Sequence, residues 1–376
     1  MPANKKHHYV PRFYLRNFAE DGRSVSLYNF RQDLLVKGAN LKNQCYRDYF
    51  YGKDGVAEAH LGQLEGGLAE LLRIVLGTCT LPPPFSELHE GLCVFTLLQY
   101  ARTAYSADAM DDFADGMWKE ILSKDARFNA SDLNRVRIVN SDPANLAVSI
   151  VLKHYHLIAD LAYVLLESPA GCEFVTSDNP VVFYNQLMEF ERFGSSTGLV
   201  SKGLQIFFPL SPKFLLLFFD CSVYALNDRR SVRLSLSEKR DIDQINALQA
   251  AAALENLYFC TPKADIFRVA EMGKGKRRAK KTRITKFQVP DAGACSSQMI
   301  GGSREDVRTN LSLSFMRTLK PAKRWREERK LPGMKPVVVP RDQRFVDEHE
   351  NFLRLSDLGF YKPTEFFKYL RERDGA

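Results

Sequence analysis

The chain has 376 residues, 45% of them hydrophobic and 26% charged, with 53 Lys and Arg against 45 Asp and Glu for a net charge of +8. That supports two globular domains, or one large domain with an appendage, and excludes a collagen-like, disordered or disulfide-stapled chain. Seven cysteines, at 45, 79, 93, 172, 221, 260 and 295, form no C-x-x-C pair. Zinc-finger and iron–sulfur frameworks are thereby excluded, and the reduced thiols of a cytoplasmic protein are expected. No membrane association is expected: apolar runs such as Phe214–Phe219 fall far short of the roughly 20 residues of a span. The opening MPANKKHHYVPRFYLRNF lacks the apolar stretch of a signal peptide.

In chain order, Ser24–Phe30 alternates as a strand behind an Asp21-Gly22 turn. Val56, Leu61, Leu64, Leu68, Leu71, Leu72 and Val75 recur at helical spacing. Pro82–Pro84 break the chain, and Ser86 is placed to cap a helix predicted from Glu87 to about Tyr105. Further helices are predicted over Asp112–Leu122 and from Pro143 to Leu166. Short β-rich runs follow at 173–177, 181–184, 204–210 and 213–220, divided by turn residues. Helical periodicity returns over Ser237–Tyr258, a pattern that takes in ENLYFC (255–260). Beyond it come the strand-like RITKFQV and VVV, and an amphipathic stretch near Thr364–Arg371.

Helices first, then a sheet, then a long helix predict an α+β fold: a helix-rich N-terminal half packed on a small, mostly antiparallel sheet, with a basic C-terminal extension. The expected division is 7–260 and 261–376. There is no G-x-x-x-x-G-K-[ST], G-x-G-x-x-G or G-x-S-x-G, which argues against common NTPases, dinucleotide enzymes and α/β-hydrolases.

The charge is concentrated. Residues 274–286, KGKRRAKKTRITK, hold eight Lys/Arg and no acid, and without them 45 basic residues face 45 acidic ones. A weaker cluster spans Lys320–Lys330 around Trp325. Clustered cations attract phosphates by counterion release, so Lys276, Arg277, Arg278, Lys280 and Lys281 are candidate nucleic-acid contacts. The competing reading is a solvated loop, which Gly273 and Gly275 favour.

Four groups can carry chemistry. His7-His8 precede an aromatic segment, and a neutral imidazole can act as base or metal ligand. Glu58 and Glu65 lie two helical turns apart on one face, with His60 pointing away from it. Gln99 and Arg102 share an otherwise apolar segment, and a buried guanidinium needs an anion: a substrate phosphate, or a structural partner such as Glu65 or Asp178. Ser177-Asp178-Asn179-Pro180 leaves an apolar strand, either as a site at the sheet's rim or as a turn that stops the strand. The spacing of His154 and His156 turns them apart, which argues against a shared metal.

The blocks HHYVPRFYLRNF, QYART, FVTSDNPV, FFPLSP and INALQ, in this order over about residues 7–260, resemble the bacterial family called domain of unknown function 4238. The resemblance implies a cytoplasmic protein of mixed fold and no defined activity. His8, Pro11, Leu15, Phe18, Glu65, Gln99, Arg102, Ser177, Asp178, Pro180, Ser211, Pro212 and Asn246 match its pattern.

Two functions are expected from these residues. The first is a nucleic-acid-directed enzyme, a metal-dependent nuclease of the kind found in bacterial defence or toxin systems. His8, Glu65 and Asp178 would hold Mg²⁺ or Mn²⁺ and supply the base, Arg102 would hold a phosphate, and Gln99 and Ser177 would contact substrate. His-Tyr-Val-Pro also resembles the first-histidine segment of HNH nucleases, but no Asn and second His follow at compact spacing, Asn43 and His60 being the nearest. The second is a non-catalytic protein that binds nucleic acid or an acidic protein partner through 274–286.

Overall fold

The computed structural model describes residues 5–191, 196–228, 232–261, 265–277, 281–289, 297–304, 307–330 and 339–374. Its centre is a five-stranded sheet in the order Arg233–Ser235, Ala162–Glu167, Phe214–Phe219, Gln205–Pro209, Val182–Tyr184. Every neighbouring pair is antiparallel except the first. Phe214–Phe219 is buried throughout because both faces of the sheet are covered, and side chains alternate between the two sides. Leu215, Leu217, Val164, Leu166 and Phe207 enter a core with Ile242, Ile245 and Leu248 of the helix Lys239–Ala252. Leu216, Phe218, Leu165, Ile206 and Phe208 enter a second core, under the helices Val56–Thr78, Glu87–Ala101 and Pro143–His154.

A second sheet runs Leu34–Asn40, Ser24–Asn29, Asn256–Phe259, Thr176–Ser177, all antiparallel. Lys6–His8 pairs with Tyr46–Asp48, and Arg283–Val289 pairs with Ser297–Ser303. The fold is thus α+β, as the element pattern predicts. Residues beyond 263 contribute to both cores: Val307, Leu311, Leu313 and Phe315 to one, and Phe352, Phe366, Phe367 and Tyr369 to the other.

Several boundaries depart from the sequence reading, each for a local reason. The helix from Glu87 stops at Ala101, because the Thr103 side chain accepts from the Ser106 amide and caps a new helix, Ala104–Leu122. The helix from Pro143 ends at His154 and passes through a 3₁₀ turn, Tyr155–Ile158, so that Ala162–Glu167 can join the central sheet. ENLYFC is not helical: Asn256–Phe259 is a strand between Ser24–Asn29 and Thr176–Ser177. Only Thr176 and Ser177 of the run 173–177 enter a ladder. The helices Ile266–Lys274, Lys320–Arg329 and Gln343–Asp357 have no counterpart in the sequence reading. Val337 and Val338 of the VVV run lie outside the described residues.

Candidate functional site

Among the described residues Arg102 is the largest fully buried side chain, 2% exposed just past the end of its helix. A guanidinium there must find partners for its fork of donors. Nη1 pairs with Glu65 at 2.7 Å, Nη2 donates to the His8 carbonyl at 2.8 Å, and Nε donates to the Tyr51 hydroxyl at 3.2 Å. The pair with Glu65, one of the two partners the sequence left open, therefore forms. Burial disfavours the Arg102 charge, but Tyr51 and Glu65 outweigh it and hold the group further into its cationic range. Gln99, one turn earlier, donates to the Tyr9 carbonyl at 3.3 Å. The motif arginine and glutamine thus grip the backbone of the HHYVP segment.

The two histidines of that segment differ. His7 is buried, stacks on Tyr51 with centroids 5.9 Å apart, and its Nδ1 accepts from the Tyr51 amide at 3.1 Å. His8 is half-buried, and its Nε2 faces the Lys42 carbonyl at 3.3 Å. That contact puts the proton on Nε2 and leaves Nδ1 as the basic nitrogen. Burial, then the nearby Arg12, lowers its pKa, so the ring is neutral at pH 7. Glu58 is half-buried on the Glu65 face of its helix, and its pKa is raised by burial against the opposing pull of His7 and Arg102.

Asp178 is elsewhere engaged. Its Oδ1 accepts from the Leu254 amide at 2.7 Å, and its Oδ2 from Glu255 and Asn256 at 2.7 and 2.9 Å. It holds the turn that leads from the helix Lys239–Ala252 into the strand Asn256–Phe259. Burial pushes its pKa up to about 6, against the lowering by those three amides. Ser177 donates to Gln249 at 3.0 Å and accepts from the Asn179 amide. Asn246 donates to the Glu173 carbonyl and accepts from the Val175 amide, while Gln249 donates to the Pro180 carbonyl. The FVTSDNP segment is clamped along one face of that helix.

These contacts give the expected ligands other partners. Among the described residues no three His, Cys, Asp or Glu side chains stand together to hold a metal, so His8, Glu65 and Asp178 do not form one centre. Glu65 is bound to Arg102, both Asp178 oxygens face backbone amides, and Arg102 has no open side for a phosphate.

The basic segment splits into tied and exposed members. Arg277 turns inward, stacks on Phe30 with its guanidinium 4.2 Å from the centroid, and donates to the carbonyls of Ala253 and Leu254. It grips the same turn as Asp178, from the carbonyl side. Lys274 pairs with Glu271 and Asp33, and Lys286 with Glu120. Lys276, Lys281 and Arg283 are exposed, and Lys276 donates to the Thr309 carbonyl at 3.1 Å. Arg278 and Lys280 lie outside the described residues. The hairpin that carries Arg283 is seated on the helix Ala104–Leu122. A Cβ on Gly302 would strike the Phe113 ring and one on Gly116 would strike Ile284, and Arg304 pairs with Asp112 at 2.9 Å.

A cleft of about 600 Å³ opens between the start of the helix Val56–Thr78 and the helix Pro143–His154. Leu61, Leu64, Val148 and Leu152 form its apolar wall, and Lys53, Asp54, His60, Asp142, Asn145 and Ser149 its polar one. Asp142, Asn145 and Ser149 follow one another at helical spacing, but Lys53, Asp54 and His60 come from a loop and a helix distant in sequence, and no local pattern joins the two sets. Tyr51 lines this cleft and also meets Arg102, so the cleft adjoins the buried cluster.

Together these features define a mixed α+β protein whose motif side chains mainly bind its own backbone, with a cationic edge beside them. The sequence model of the family described as "Protein of unknown function (DUF4238)" matches residues 6–263, and the chain belongs to that family. No curated protein and no solved structure matches it.

Proposed function

We propose that the protein binds nucleic acid through the exposed cations of the basic segment, and that the motif cluster is a structural frame for that surface. The observation that supports this reading is the division of charge. Arg102 and Asp178 are buried and satisfied, whereas Lys276, Lys281 and Arg283 face solvent. Three phosphate contacts give a slope of log K against log salt of about −2.7 on duplex DNA. Titrating labelled single-stranded DNA, duplex DNA and RNA between 50 and 300 mM salt measures it (concentrations roughly bracketing physiological ionic strength). The variant Lys276→Gln/Lys281→Gln/Arg283→Gln is expected to lose most of that slope. Tight binding with an unchanged slope in the variant sinks the proposal.

A second reading, hydrolysis of the bound strand, is favoured by one observation: His8 keeps a basic Nδ1 at a half-buried position beside Arg12 and Glu65. In that reading His8 takes the proton from an attacking water while the cationic edge holds the strand. Incubating the same nucleic acids with Mg²⁺, Mn²⁺ or EDTA, beside His8→Ala, separates the two. Cleavage lost in His8→Ala supports the enzyme, and binding without cleavage supports the first reading.

A further inference from the structure

We propose that the C-terminal helices Gln343–Asp357 and Phe366–Asp374 are held against the family domain by a neutral histidine cluster that releases them in acid. His154 and His156 sit where the helix Pro143–His154 becomes a 3₁₀ turn, inside the matched family region. His349 enters from the C-terminal helix, with its ring centroid 5.5 Å from that of His154 and 5.6 Å from that of His156. Sequence spacing turns His154 and His156 apart, and the third ring from outside the family region bridges them.

The centre of the cluster is dry and aromatic. His156 is fully buried, with centroids of Tyr155, Phe366 and Phe352 at 3.9, 4.7 and 5.3 Å. Among the described residues neither of its ring nitrogens makes a well-formed hydrogen bond, although the Pro363 carbonyl faces the ring; Nε2 of His349 is likewise unpaired, while the Lys153 carbonyl faces the His349 ring. A neutral imidazole tolerates this place; an imidazolium at His156 has the Pro363 carbonyl for one N–H and no acceptor for the other, so burial outweighs that single contact. Burial accordingly holds His156 down to about 3 and His349 to about 4, and lowers the half-buried His154 as well.

The surrounding charges give no relief. The ionisable groups that act on His156 are His349 and His154, both of which oppose its protonation. His154 does the same to His349, and Lys153 to His154. Carboxylates on the packed elements have other partners. Glu90 takes the Tyr155 hydroxyl, Asp357 pairs with Lys153, Glu348 with Arg373 and Tyr369, Glu365 with Lys368 and the Lys362 amide, and Asp160 with Arg341. Arg341 also donates to the Leu157 and Leu199 carbonyls. That clasp sits just before the helix Gln343–Asp357, so it remains as a hinge when the histidines charge.

Histidines neutral in the closed state and free at pKa 6.5 when released favour release as pH falls below 6.5. Each buried ring then contributes about a 20-fold rise in the open fraction between pH 7 and pH 5. Hydrogen exchange on the full chain, corrected for intrinsic rates, is expected to show protection over 343–374 falling while Phe214–Phe219 stays protected. His349→Gln and His156→Phe should each remove one such factor. Should a variant fail to fold, NMR titration of the assigned wild-type rings decides the matter, with midpoints below pH 5 expected for His156 and His349. Equal protection at pH 7 and pH 5, or a His156 midpoint near 6.5 with the helices still docked, overturns the proposal. The latter would mean that the aromatic cage carries the imidazolium.

Discussion

Replacing Asp178 by Asn separates a structural carboxylate from a catalytic one. The two Asp178 oxygens accept three amides of one turn. An Asn side chain keeps one acceptor oxygen and turns an NH₂ group towards the remaining N–H. A buried amide left facing a donor costs about 1–3 kcal/mol, so the variant should lose about 2 kcal/mol at pH 7.5. The pH dependence sharpens the test. Burial raises the folded pKa of Asp178 to about 6, above its ordinary 3.8. A raised carboxyl binds its proton more tightly in the folded state, so the wild type gains stability as pH falls through 6, and this contribution is lost as pH rises. From this group alone the gain is about 1.4 kcal/mol at pH 5. The variant has no such proton, so its deficit should widen to about 3.5 kcal/mol at pH 5. Urea unfolding of both proteins at the two pH values measures the difference, and contributions from histidines cancel because the comparison is made at fixed pH. Equal stability at both values would refute a turn-holding role. Equal stability together with lost cleavage would return Asp178 to the catalytic list.

Three further outcomes follow from other contacts. Glu65→Gln leaves Arg102 buried with only neutral partners and should cost about 3 kcal/mol in urea unfolding; a loss under 0.5 kcal/mol, the range of an ordinary surface change, would show the pair is not needed. Gly62 and Gly66 have open space where a Cβ would stand, so Gly62→Ala and Gly66→Ala should each raise stability by up to about 1 kcal/mol. Lowered stability in either would reveal a close approach that the structure does not show. Gly302→Ala drives a methyl into the Phe113 ring and should unseat the hairpin, weakening nucleic-acid affinity with no change of charge. Unchanged affinity would place the binding surface away from that hairpin.

Local patterns carried much of the fold. The stripe from Val56 to Val75 is a helix, the Ser86 side chain accepts from the His89 amide as its cap position requires, and Ser24–Asn29 is a strand. The misreadings fall where a tertiary partner decides. Ser237–Tyr258 reads as one helix, yet Asp178, distant in sequence, binds the amides at 254–256 and turns the chain into a sheet. No local signal contains that contact. Likewise the apolar run to Leu166 is compatible with helix or buried strand, and the vacant place beside Phe214–Phe219 selects strand.

The candidate site shows the same division between residue type and role. Chemical reasoning selected polar residues that sit in apolar surroundings, and Arg102, Asp178, Ser177 and Gln99 are indeed buried, as is Asn246, which the family pattern marks. Burial alone does not distinguish a reactive group from one that serves the backbone. The distinction lies in what remains unpaired. Arg102 and Asp178 spend their charges on carbonyls, amides and Glu65, whereas His8 keeps one nitrogen and Lys276, Lys281 and Arg283 keep their charge in water. Arg277 makes the point within a single cluster: counted by sequence it is one cation of eight, yet it turns inward to hold the turn that Asp178 holds from the other side. The basic segment is therefore anchored by one of its own charges, and that anchor joins the cationic edge to the motif-bearing domain.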